Sequence, residues 1–183
     1  LKGSVRLKIS PDFSDDIQRL NAASLDALND VSETVDDFHV ARDGLQEKVA
    51  QHLEKHRVVS IGGLPGCGKS AVLKHFAANA AKSGPILFLK NDRLLGTGWT
   101  TFATALGLRH ASAPDLLAEV GATGTPILFI DGIDRIRPDQ QHIVTDLIRA
   151  IEADSNLRHW KVLATSRDQG LEAFRNWFPR KFY

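Results

Sequence analysis

Apolar positions along this chain change their spacing several times, and each change marks an element. Val5, Leu7 and Ile9 alternate with Arg6 and Lys8, the period of a short strand, which Pro11 halts. Ser14, Asp15 and Asp16 form a helix start, with Ile17, Leu20, Leu28 and Val31 as a loose apolar stripe. Asp43 is placed to cap a second helix, in which Leu45, Val49 and Leu53 recur on one face. The pattern then becomes short apolar runs separated by helical periods. The runs are Val58-Val59-Ser60-Ile61, Ile86-Leu87-Phe88-Leu89, Ile127-Leu128-Phe129-Ile130 and Lys161-Val162-Leu163-Ala164. Lys69 to Lys82 reads as a helix with Val72, Leu73 and Phe76 inward, and shorter helices lie near 99–106 and 114–120. A longer one after Pro138 carries Ile143, Val144, Leu147, Ile148 and Ile151 on one side. Continuous apolar strands alternating with amphipathic helices predict an α/β fold, a parallel sheet of about five strands with helices on both faces.

The turn after the first of these runs, Gly63-Leu64-Pro65-Gly66-Cys67-Gly68-Lys69-Ser70, matches G-x-x-x-x-G-K-[S/T] without a gap. Several backbone N–H groups must converge on phosphate oxygens, and side chains in that cradle would block the approach. Gly66 and Gly68 supply clearance and conformations other residues lack, and the following helix points its positive end at the anion. Lys69 is expected to reach the β- and γ-phosphates and the Ser70 hydroxyl to ligate Mg²⁺. Gly63, Leu64, Pro65, Gly66, Cys67, Gly68, Lys69, Ser70 and Ala71 are thus the expected nucleotide contacts. Cys67 occupies a tolerant position and is given no redox part.

A nucleoside triphosphate site also needs a carboxylate for the metal and a group to orient water, at strand ends beside the loop. Asp131 ends an apolar run about sixty residues after the loop and is the Mg²⁺ candidate with Ser70. Asp134 is the candidate water-positioning base, or a loop acid paired with Arg135 or Arg137. Thr165-Ser166-Arg167 ends the last run, and the forked, always-charged Arg167 suits γ-phosphate sensing; a plain surface Arg is the alternative. Lys69, Asp131, Asp134 and Arg167 are therefore the catalytic candidates.

Composition narrows the partners. The 183 residues carry a net charge of +1 with both signs mixed, which argues against a nucleic-acid-coating or membrane-surface role. No apolar run nears the roughly 20 residues a bilayer span needs. The lone Cys67 permits no internal disulfide and fits a reducing, cytoplasmic setting. The seven His show no paired metal spacing, and Trp99, Trp160 and Trp177 are expected in core or lid packing. The chain has no Met; we therefore expect a piece of something longer, with effector and sensor parts outside it.

On the Gly63–Ser70 loop, Asp131-Gly132-Ile133-Asp134 and Thr165-Ser166-Arg167, in this order and spacing, the chain resembles the STAND class of P-loop NTPases, within it the NACHT-like branch. The likeness covers roughly 36–178. Phe38-His39-Val40-Ala41-Arg42-Asp43 looks like the segment that lies against adenine in this class, which implies contacts from Val40 and Arg42. The resemblance implies a three-layer P-loop NTPase fold with the sensor strand between the phosphate-loop strand and the acidic strand. It also implies ATP over GTP, an ADP-held resting state, and homo-oligomerisation when an unknown trigger acts; many bacterial members serve antiphage defence. Residues 1–36 are then a linker or the end of a preceding domain. Residues 37–183 are the NTPase core, short of a helical lid and a winged-helix segment. Two positions depart from the pattern. Arg135 stands where a final Glu often follows, which puts hydrolytic vigour in question, and Ala41 replaces the usual Gly. The expected function is a slowly hydrolysing ATP switch of a larger signalling protein. The rivals are a P-loop kinase, an AAA+ ATPase acting on DNA, and a scaffold that binds ATP and hardly cleaves it.

Overall fold

A helix and a small ribbon precede an alternation of strands and helices. α1 spans Ser14–Asn29, the ribbon strands β1 and β2 span Thr34–Val35 and Phe38–His39, and α2 spans Asp43–Lys55. β3 (Val58–Gly62), α3 (Lys69–Ala81), β4 (Leu87–Lys90), α4 (Trp99–Ala105) and α5 (Ala113–Thr123) follow. β5 (Ile127–Asp131), α6 (Gln141–Ala153) and β6 (Lys161–Ser166) complete the order. The structure is a computed structural model that describes residues 12–31, 34–35, 38–39, 43–167 and 177. The expected strand at 5–9, the Asp43 side-chain cap, and Val40 and Arg42 lie outside the described residues.

The four apolar runs pair in parallel as one sheet in the order β3-β6-β5-β4. Among the described residues the sheet therefore has four strands where about five were expected. The sensor strand β6 does lie between β3 and β5, as the resemblance implied. Alternate residues of each strand point to opposite faces, and both faces are covered. Leu87, Leu89, Leu128, Ile130, Val162 and Ala164 face one core, which α4, α5 and α6 close with Trp99, Leu117 and Ile148. Val59, Ile61, Phe88, Phe129 and Leu163 face the other, under α2 and α3. Register then decides the site: Gly62 lies beside Ser166, and Ile130 beside Ala164, so the carboxyl ends of β3, β6 and β5 finish together.

α1 lies in the stretch expected to be a linker or the end of a preceding domain, and it packs along the edge strand β4. Asn21 Oδ1 accepts the Ile86 N–H at 3.0 Å and Ser24 Oγ accepts the Phe88 N–H at 3.1 Å. An edge strand leaves such groups unpaired, so these two side chains replace a neighbouring strand. Leu20 enters one core and Ala27 and Leu28 the other. The N-terminal turn is tied by Asp16, buried at 1% exposure. Its Oδ1 accepts the Arg109 N–H at 2.8 Å, and its Oδ2 takes the His110 N–H at 2.9 Å and His110 Nδ1 at 2.8 Å. Burial pushes this carboxyl upward, but the hydrogen bonds from Arg109 and His110 outweigh it and hold Asp16 below its usual range.

Trp99 and Trp160 are core residues, as expected, and Trp177 packs partly buried against the same cluster. Residues 91–93 form a turn at the end of β4. Arg93 N–H donates to Lys90 O at 2.9 Å, and Arg93 Nε reaches Asp30 at 2.7 Å.

Candidate nucleotide site

The loop from β3 to α3 uses glycine where the backbone demands it. Gly66 and Gly68 have φ of +77° and +86°, the left-handed region that residues with a Cβ resist. Gly68 is also the cap of α3, so the helix begins directly at Lys69 and its first free N–H groups border the loop. Leu64, Pro65, Gly66 and Cys67 are exposed, and a bare, accessible backbone results. Lys69 turns back along it: Nζ donates to Gly63 O at 2.6 Å and Leu64 O at 2.8 Å, with Cys67 Sγ at 3.7 Å. The one ammonium thus sits against the segment where phosphate oxygens are expected, held by neutral carbonyls.

At the second residue of α3, Ser70 Oγ donates to Asp131 Oδ1 at 2.7 Å. Asp131 closes β5 and is 3% exposed. A buried carboxylate needs donors, and the same Oδ1 receives the Thr165 hydroxyl at 2.7 Å. Thr165 Oγ1 in turn accepts the Gly132 N–H at 2.8 Å. Thr165 therefore locks the acid to the end of the neighbouring strand. Sequence reasoning placed Thr165 in the sensor stretch without seeing this bond. The signal was a small hydroxyl at a strand end, and only the β5–β6 register shows what it meets.

After Asp131 the chain reverses in a short turn. Gly132 has φ of +68°, and a Cβ there would come within 2.9 Å of both Arg135 Nε and Asn91 Oδ1. The turn points Asp134 at the end of β6. Its Oδ2 accepts Arg167 Nε–H at 2.7 Å and its Oδ1 accepts the Arg167 backbone N–H at 3.2 Å. The alternative partner Arg137 pairs with Asp139 instead, at 3.1 Å. Arg135 is exposed, folded over Gly132.

Lys69, Ser70, Asp131, Asp134 and Arg167 thus gather where β3, β6 and β5 end, with Ala71 following Ser70 in α3. Hard oxygen donors that suit Mg²⁺ are present in Ser70 and Asp131. No cluster of three His, Cys, Asp or Glu fit to hold a metal exists among the described residues. Among the described residues no helix is long and apolar enough to cross a membrane.

A glycine-lined loop between a buried parallel strand and a helix, with an acid on a nearby strand end, defines a P-loop nucleotide-binding α/β protein. Residues 59–183 match the model of the ATPase family associated with various cellular activities, AAA. The chain belongs to that family, and its enzymatic class is ATPase. It is also similar to a solved katanin structure, described as "Structural Basis for Katanin Self-Assembly", with a TM-score of 0.53 and 15% identity. The likeness covers 94% of this chain and 60% of that one, and at this identity it shows the fold. The chain thus spans about three fifths of the length of that katanin chain. No curated protein matches the sequence.

Proposed function

We propose that this chain is the ATP-binding, slowly hydrolysing core of a larger cytoplasmic signalling or defence protein of the STAND, NACHT-like type, whose nucleotide state sets self-assembly. Within it we count α1 as part of the nucleotide-binding unit. The observation that carries the reading is the Lys69 ammonium against the bare loop, with Ser70 on Asp131 at 2.7 Å. Phosphate oxygens are better acceptors for Lys69 than the Gly63 and Leu64 carbonyls, because both partners are then charged. The loop N–H groups and the start of α3 receive the remaining oxygens. Ser70 and Asp131 would hold Mg²⁺, which would supply positive charge against the phosphate oxygens. Thr165 keeps the Asp131 carboxylate in place for that task, and Arg167 reads the terminal phosphate.

The finer class rests on the Asp-Gly-Ile-Asp and Thr-Ser-Arg segments, which the AAA match leaves open. Assembly is supported by the self-assembly named for the katanin neighbour. Calorimetry with ATP, ADP and GTP, with and without Mg²⁺, tests binding on the full-length protein, and light scattering tests assembly. Magnesium-dependent ATP uptake with a rise in mass is expected. No uptake removes the reading, and uptake without a mass change leaves an ATPase that is no assembly switch. The scaffold reading has one observation in its favour: Arg135 stands in place of an acid beside the site. A single-turnover assay without any released phosphate decides for it.

A further inference from the structure

We propose that Asp134 is a positioning residue that aims Arg167 at the terminal phosphate, and not the base that activates water. The inference rests on the nucleotide reading above and assigns a division of labour within that same site. Asp134 holds Arg167 at two points, the backbone N–H and Nε, using one oxygen for each. Its side chain is 7% exposed, whereas that of Arg167 is 53% exposed. A base must offer a lone pair to water within hydrogen-bond reach. Here each oxygen already accepts from the same residue, and water has little approach.

The carboxylate is itself held rigidly. Ile133, 1% exposed, anchors the turn in the core, and Arg135 N–H closes it onto Gly132 O at 2.8 Å. A guanidinium fastened through Nε has its plane fixed, while its terminal amino groups have no partner among the described residues. That is the arrangement a phosphate reader needs, since the two terminal groups fork around anionic oxygens. A flexible Arg would lose rotamer freedom on each binding event; a clamped one has lost it already. Arg135 removes the other acid the resemblance would place here. The site is consequently built to tell ATP from ADP well and to cleave slowly.

Affinities for Mg²⁺–ATP and Mg²⁺–ADP, and single-turnover hydrolysis, are measured on the full-length protein. The variants are Asp134→Ala, Asp134→Asn, Arg167→Ala and the Asp134→Ala/Arg167→Ala double. Arg167→Ala is expected to cost about tenfold or more in ATP affinity and little in ADP affinity. Asp134→Ala is expected to lower the ATP-to-ADP ratio nearly as far, with the double no worse than Arg167→Ala, because one interaction is removed twice. Asp134→Asn keeps the shape and one acceptor oxygen, so its ratio should fall between, and it carries the test if the Ala variant misfolds. A wild-type ratio in both Asp134 variants, with turnover abolished, makes Asp134 the base and overturns the proposal. Losses that multiply in the double overturn it too. A wild type that takes up no ATP is a different failure, seen before any variant is made, and it removes the nucleotide reading along with this one.

Discussion

Between Gly63 and Ser70 the candidate groups are neighbours in sequence, and Leu64, Pro65, Gly66 and Cys67 at the turn are exposed. At the ends of β5 and β6, Asp131 and Asp134 meet Thr165 and Arg167 across 33 or 34 residues, and Asp131 and Thr165 are almost wholly buried. The loop is held by backbone conformation; the corner is held by side chains satisfying one another. A backbone nest works because nothing fills it, so its parts tolerate exposure and need only the right φ values. Buried carboxylates need every partner present, so the corner fails as a unit. On the proposed reading, the loop supplies grip and the corner supplies discrimination.

The largest expected effect is at the loop. Lys69→Ala removes the one ammonium there and should weaken ATP binding about a hundredfold, two charge-assisted bonds' worth, read by calorimetry. A loss of only a fewfold would mean that the corner carries the grip, and the comparison would break.

Next comes a buried acid that serves the fold alone. Asp16→Asn presents an amide donor where His110 already donates, and should destabilise the chain by about 2 kcal/mol in urea melts. Its pH signature follows from the lowered carboxyl. Relative to the ordinary value of 3.8, the stability Asp16 supplies is present above it and is lost as pH falls through the lowered folded value. The Asn variant should therefore show a flatter acid limb, with an unchanged ATP-to-ADP ratio. A changed ratio would show that α1 reaches the site.

The smallest effect sharpens the corner itself. Thr165→Val keeps the shape but takes one donor from Asp131 and one acceptor from the Gly132 N–H. It should raise the Mg²⁺ concentration needed for half-maximal ATP binding by roughly fivefold to tenfold, about 1 kcal/mol. An unchanged requirement would mean that Ser70 alone holds the carboxylate in place.

Much of this was legible along the chain, and for one reason. The four strands, the loop and the acid at a strand end are each written in consecutive residues, as apolar runs, glycines at turns and a polar residue at the close. α1 was different. Its stripe reads as loose because Asp16, Asn21 and Ser24 look like surface residues, and their partners Ile86, Phe88, Arg109 and His110 stand 64 to 94 positions away. The ribbon Thr34–Val35 with Phe38–His39 was missed because two-residue strands have no periodicity to detect. Asp134 was read with Arg135 or Arg137 as its alternative partner, both close in sequence, and its partner is Arg167.

The order of residues by itself determined that a glycine-rich turn of the P-loop pattern exists, and that four buried strands alternate with helices around it. Those properties depend on local sterics and on spacing, which a linear chain already contains. The resemblance already implied that β6 lies between β3 and β5; tertiary structure alone decided which carboxylate meets which hydroxyl and which guanidinium. Such pairings depend on register between distant strands, and register is settled only when both faces of the sheet are buried together.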